Sequence, residues 1–168
     1  MRFLASITLC LALASLGHAN QSELAKVGAI QYRHFGFIPV FDATFRAASD
    51  QLATDPLSEF PKELEFQYAR KIPRKTLIQA AEKILRRNRS AEELDTIASR
   101  IEALNEAYQD VGPGDRYTLR YEPGLGTSLL RNGELERRIP GDDFHRIYFS
   151  IWLGPDAPFE FIPADPIY

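Results

Sequence analysis

Cysteine is almost missing from this chain of 168 residues: the single one, Cys10, falls within the first ten. Residues 20–168 therefore offer no thiol nucleophile, no disulfide framework and no cysteine metal ligand. Histidine is nearly as scarce. After the first stretch only His34 and His145 occur, and neither stands at metal-ligand spacing from another histidine or a carboxylate. There is no Gly-x-Ser-x-Gly elbow, no Walker loop and no zinc-binding helix motif, and no motif calls for a cofactor. Beyond the first residues there is no apolar run long enough for a membrane helix, so a chain that is not transmembrane is expected. An excess of basic residues is lacking too. The formal net charge is −3, and with no recognisable RNA- or DNA-binding motif, nucleic acid is not an expected partner.

The start of the chain has a different character. Arg2 precedes an apolar run over residues 3–16, too short to span a bilayer, and Gly17-His18-Ala19 supplies the small residues of a cleavage site. The expectation is a signal peptide over residues 1–19, cut near Ala19, and an exported, periplasmic product. Cys10 lies too early, and lacks the preceding small-residue pattern, for lipid attachment. Loss of Arg2 with the leader leaves 19 basic against 23 acidic residues, a net charge of −4. Residues 20–168 are about one domain's length, enough to bury roughly two-thirds of the unfolded surface without covalent staples.

Hairpin and cap signals organise the rest. Residues 26–48 read as two strands around Gly36, with Pro39 marking a bulge or an edge position. Residues 49–62 form a loop. Leu64, Phe66 and Tyr68 alternate with polar residues, as in a half-buried strand. Pro73 opens a helix to about Arg87 with Leu77, Ile78, Ala81, Ile84 and Leu85 as its apolar stripe. Ser90 and Glu93 form a capping box for a further helix carrying Leu94, Ile97, Ile101, Leu104 and Tyr108 inward. A strand follows over residues 115–122. Asn132-Gly133 then joins the strands 127–131 and 134–139, since both positions of a tight hairpin turn need positive φ. Asp142 is expected to cap a last helix with Phe144, Ile147, Tyr148, Ile151 and Trp152 on one face, stopped at Gly154-Pro155. In the proline-rich tail, Phe159, Phe161 and Ile162 are expected to dock onto the body. Hairpins instead of regular βα alternation predict a single α+β domain over residues 20–168, an antiparallel sheet with helices on one face.

Charge is unevenly spread. Arg70, Lys71, Arg74, Lys75, Lys83, Arg86, Arg87 and Arg89 cluster about the first helix, whereas Glu92, Glu93, Asp95, Glu102, Glu106 and Asp110 dominate the next. Two neighbouring helices of opposite charge solvate and complement one another; binding of an anionic headgroup is the competing account. Asp142-Asp143 at a helix start fits dipole complementarity better than a metal pair. The glycines Gly124 and Gly126 lie between strands, which makes a turn, since a phosphate cradle needs a helix start after it.

The order of pieces over residues 26–154 resembles the bacterial exported chalcone isomerase-like proteins. The matching pieces are Phe35-Gly-Phe-Ile-Pro-Val-Phe-Asp-Ala-Thr44, Tyr121-Glu-Pro-Gly-Leu-Gly126, Asn132-Gly133, Ile139-Pro-Gly141 and Trp152-Leu-Gly154. The resemblance implies an open-faced sandwich, a curved antiparallel sheet under a layer of helices with a ligand cleft between them. Plant enzymes of that superfamily cyclise chalcones, while related plastid proteins bind fatty acids. Their chemistry needs a cation to steer a phenolate and donors to hold the developing enolate. Tyr68 falls where the family's catalytic tyrosine lies. Lys75 stands where the enzymes carry asparagine, Gly36 stands near their threonine, and no arginine occurs around residues 24–26. The resemblance therefore implies no catalytic residues here, and a non-catalytic protein holding a small apolar or acyl, fatty-acid-like ligand. Tyr68, Lys75 and Arg33 are the candidate ligand-binding residues. An isomerase of the intramolecular lyase type acting on an enone is one alternative, and an envelope protein that binds a partner is another.

Overall fold

The computed structural model describes residues 24–48, 55–158 and 160–163. The expected leader lies outside them, as do part of the 49–62 loop and Phe159. The described strands are β1 (Ala25–His34), β2 (Ile38–Ala47), β3 (Lys62–Tyr68), β4 (Arg116–Glu122), β5 (Gly126–Arg131), β6 (Glu134–Ile139) and β7 (Ile162–Pro163). The helices are α1 (Arg74–Asn88), α2 (Ala91–Thr96), α3 (Ala98–Ala107), α4 (Asp142–Tyr148) and α5 (Ser150–Leu153). The strands form one antiparallel sheet in the order β6-β5-β4-β3-β2-β1-β7. With helices packed on one side, it is the antiparallel α+β layering that the hairpin pattern predicts and the open-faced sandwich that the resemblance implies. No described helix is long and apolar enough to cross a membrane.

Alternation along the strands sorts the two faces. On the covered face, Phe45, Leu64, Leu119 and Leu129 stand side by side across four strands, and the neighbouring row runs Ala43, Phe66, Tyr117. These side chains are buried against Leu85, Ile97, Leu104, Phe144, Tyr148 and Ile151 of the helices. On the open face one row is polar from end to end. Arg46, Glu63, Arg120, Ser128 and Arg138 are consecutive cross-strand neighbours. Glu63 accepts from Arg46 at 3.2 Å and from Arg120 at 2.8 Å, and Arg138 donates to Ser128 Oγ at 3.0 Å. Part-exposed ion pairs of this sort contribute about 0.2–1 kcal/mol each, so the ladder adds little beside the apolar burial beneath the helices that holds the fold.

Local signals account for the joints. Asn132 and Gly133 take φ of 51° and 90° in the β5–β6 turn. Register slips at Tyr32/Arg33, opposite Pro39, giving the bulge expected there. Ser90 and Glu93 make both halves of the capping box. Gly126, at φ 90°, sits where an added Cβ would lie 2.2 Å from the carbonyl oxygen of Ile139, so only glycine fits.

Four expectations are corrected. The helix after Ser90 is not continuous: Ile97 leaves helical geometry at φ −118° and ψ 8°, and its fully buried side chain turns into the core between α2 and α3. The last helix is divided into α4 and α5 at Phe149, which keeps helical dihedrals at φ −67° and ψ −15° and buries its ring fully. Asp142 does not cap α4, because Gly141 occupies the cap position. The Asp142 carboxylate instead accepts from the Tyr121 hydroxyl and the Gly124 N–H, both at 2.9 Å, tying the β4–β5 turn to the helix start. Finally, the tail does more than dock through side chains: Ile162 and Pro163 pair with Ala29 and Gly28, covering part of the β1 edge. Phe161 packs on Phe45 at 5.9 Å, as expected of it.

Helix α1 is fastened at both ends. At its start the Arg74 N–H donates to Asp110 at 2.8 Å and the Arg74 guanidinium to the Asn105 carbonyl at 2.7 Å. At its end Asn88 accepts from the Asp156 N–H at 3.0 Å, and Arg89 donates to Ser150 Oγ at 3.1 Å and the Arg146 carbonyl at 2.7 Å. Between these fastenings Leu85 is the one residue of α1 that is fully buried.

Candidate functional site

Beneath the middle of α1 the helix and sheet do not meet. A cavity of about 290 Å³ lies there, at the lower end of the roughly 300–1,000 Å³ usual for small-molecule sites. Its roof is the α1 face Thr76, Leu77, Ala80, Ala81 and Ile84, spaced at helical intervals. The small side chains of Ala80 and Ala81 explain why the gap is not filled. Its floor is aromatic. Phe41 and Phe66 meet edge to face at 5.7 Å, Phe66 lies 5.0 Å from Trp152, and Tyr32 lies 5.2 Å from Phe41. Thr76 and Ala80 are exposed and Tyr32 and Val40 half-buried, so the space opens beside α1 toward the β1–β2 edge.

Tyr68 lines this cavity, as does Tyr108. The end of β3 brings Tyr68 to the inner wall, where it is 7% exposed and flanked by Phe41 at 6.2 Å and Tyr117 at 6.3 Å. Burial pushes its phenol well above the ordinary range, and nearby Tyr108 and Tyr117 add to the shift. It stays protonated and able to donate. Its hydroxyl takes no hydrogen bond from the described residues. The neighbouring phenols are engaged: Tyr108 and Tyr148 share a 3.2 Å hydrogen bond, and the Tyr117 hydroxyl accepts from the Gln109 N–H at 2.8 Å.

The other two candidates stand apart from Tyr68. Lys75 is exposed in the first turn of α1, one residue before the cavity-lining Thr76, and is not part of the wall. Arg33 is exposed after Tyr32 and donates to the Gln31 side chain at 3.2 Å. Gly36 lies in the β1–β2 turn at φ 78° and contributes no donor to the cavity. Sequence reasoning missed Tyr108 and Thr76 as cavity residues. Tyr108 looked like ordinary helix core, and Thr76 carried no distinguishing signal.

A second titratable cluster, around Lys62 and His145, is structural. Lys62 is fully buried, donates to the carbonyls of Pro56 and Ser58, and lies 4.0 Å from the Phe60 ring centre. Burial lowers its pKa to about 8, with Arg146 acting the same way and Asp55 opposing. His145 stacks on Tyr121 at 3.6 Å between the carbonyls of Asp142, Leu57 and Ser58. Burial and the Lys62 charge hold it below the usual imidazole range, against the pull of those carbonyls. These groups anchor the residue 55–61 loop to α4 and line neither of the two cavities described here. The other of the two, about 520 Å³ between α1 and α2–α3, is an outer groove where Arg74 and Arg86 face Asp95, Glu102 and Glu106. No group of three or more metal-ligating side chains occurs among the described residues.

A curved antiparallel sheet roofed by helices over an aromatic cavity is the arrangement of the chalcone isomerase-like fold. Residues 37–159 match the model of the family described as chalcone isomerase-like, and the chain belongs to that family. Among solved structures it is similar to the fatty-acid binding protein AtFAP1 of Arabidopsis thaliana. The TM-score is 0.58 at 13% identity, covering 80% of this chain and 81% of that one, a likeness of fold. No curated protein matches the chain.

Proposed function

We propose that this chain is an exported, non-catalytic binding protein that holds a small apolar or acyl molecule between α1 and the sheet. The cavity carries the reading: aromatic and aliphatic walls surround the Tyr68 hydroxyl, which has no hydrogen-bond partner among the described residues. Such a space takes the hydrocarbon or ring of a ligand, while Tyr68 orients its polar end. Export rests on Arg2, the short apolar run and Gly17-His18-Ala19, and a bacterial envelope is the setting in which that leader makes sense. A fatty-acid binding protein of the same fold lends support.

Cyclising an enone asks for more than this wall offers. Enolate stabilisation needs convergent donors and a steering cation, whereas Gly36 and Lys75 are both absent from the lining. Native mass spectrometry of the protein purified gently from its source tests the binding reading. A reproducible adduct of acyl or small aromatic mass is expected. Tyr68→Phe is expected to weaken binding of the extracted ligand about tenfold, the worth of one buried hydrogen bond. A bare mass across preparations, together with no uptake of an apolar fluorescent probe, would overturn the reading.

A further inference from the structure

Resting on that binding reading, we infer that the ligand of the α1 cavity is uncharged at its buried end: an ester, ketone or other neutral carbonyl compound, and not a free carboxylate. The lining residues are Tyr32, Tyr68, Thr76 and Tyr108, which bear hydroxyls, and apolar side chains for the rest; no lysine, arginine or histidine is among them. Outside the described residues the cationic side chains are Arg2 and His18 alone. A carboxylate withdrawn from water without a paired cation is strongly disfavoured, so it neutralises or stays outside. The protein's own side chains report the same environment. The phenols of Tyr68, Tyr108 and Tyr148 are all held in the protonated form, chiefly by burial.

The groups around the inner end bear this out from each side. Tyr68 of β3 faces Tyr117 of β4, with Tyr108 following α3 and Tyr148 of α4 beyond it. From the helix above, Glu82 of α1 acts on Tyr148 and disfavours an anion; on the far side, behind Tyr117, the cation of Arg131 pulls the other way, opposed by Glu136 and Asp115. A carbonyl oxygen meets what is left: a protonated phenol free to donate, in a wall that has no charge to offer. Lys75 and Arg33 lie outside the wall and would meet a charged group only at the surface.

Decanoic acid and its methyl ester separate the possibilities, measured by calorimetric titration on the unaltered protein across about pH 6 to 8. The ester is expected to bind with an affinity that does not change with pH. The acid is expected to lose about tenfold in affinity per pH unit, because only its protonated form enters. Acid binding that is pH-independent and at least as tight as the ester's would overturn the inference. If Lys75→Ala then abolishes it, the charge is being met at the mouth. Failure of both compounds to bind, with the same protein also bare by mass spectrometry, would instead remove the binding reading itself and this inference with it.

Discussion

Replacing Ala81 with leucine would place three more carbon atoms in the space beneath α1. Ala81 is half-buried and faces the cavity from the middle of the helix, with Leu77 and Ile84 a turn to either side. Each newly buried methylene is worth about 0.8 kcal/mol, so the gross gain is about 2.4 kcal/mol. Ordering a leucine side chain costs about 0.5–1 kcal/mol, and helix propensity is nearly unaffected. The net expectation is a stabilisation of about 1.5–2 kcal/mol, or a Tm rise of about 3–8 °C for a chain of this size. Urea denaturation monitored by Trp152 fluorescence gives the free energy, and uptake of an apolar probe by the same variant gives the function. Stability should rise while uptake falls, since the same volume cannot be filled twice. A loss of about 1–3 kcal/mol, the usual cost of overpacking, would refute the reasoning, because it would mean that α1 and the sheet already touch.

Stability should also depend sharply on alkaline pH. Lys62 has its folded pKa lowered from 10.5 to about 8, so the unfolded chain binds the extra proton between those values and stability rises there, by up to about 1.4 kcal/mol per pH unit. Tyr68, Tyr108, Tyr117, Tyr121 and Tyr148 are all raised. Their contribution is intact below the ordinary phenol value near 10 and is lost above it, by up to about 1.4 kcal/mol per pH unit for each phenol that the fold keeps protonated. Phenolate absorbance and circular dichroism should therefore change together in one steep step above about pH 10, and a gradual phenol titration with the fold intact would contradict this. In the β4–β5 turn, Gly126→Ala should cost more than about 3 kcal/mol, since its Cβ would strike the Ile139 carbonyl. Gly124→Ala, also at positive φ but with open space around it, should cost about 1 kcal/mol. Equal urea midpoints for the two variants would show that backbone strain, not the clash, governs this turn.

The elements most legible in the sequence are those whose cause is local. Asn132-Gly133, the Ser90–Glu93 box and Pro73 each determine a joint through the dihedral angles or hydrogen bonds of a few residues, and the structure has all three. The break at Ile97 was not legible because its cause is tertiary: it buries a large side chain that a straight helix would carry past the core. Asp142 was misread for the same reason. Its partners, Tyr121 and Gly124, lie 21 and 18 residues upstream. The α1 stripe was read correctly as apolar, yet Leu77, Ala81 and Ile84 line a void while Leu85 packs solidly. No periodicity distinguishes the two, because a void is defined by atoms that are absent from both partners. Tyr68 was legible as a cleft candidate only through the family resemblance, which sets its catalytic tyrosine at the end of this strand. Tyr108, which shares its wall, was hidden among the core residues of a helix.

The fastening of α1 at its two ends has a consequence for inheritance. Arg74, Asn88 and Arg89 hold the helix in place through Asn105, Asp110, Arg146, Ser150 and Asp156, and none of these eight residues lines the cavity. The residues that shape the space are therefore a different set from those that suspend its roof. Substitution at Leu77, Ala81 or Ile84 changes what fits inside while leaving those end fastenings in place. The shape of the space and the foldability of the chain can thus vary along separate mutational paths, so the cavity can be remodelled without first losing the fold.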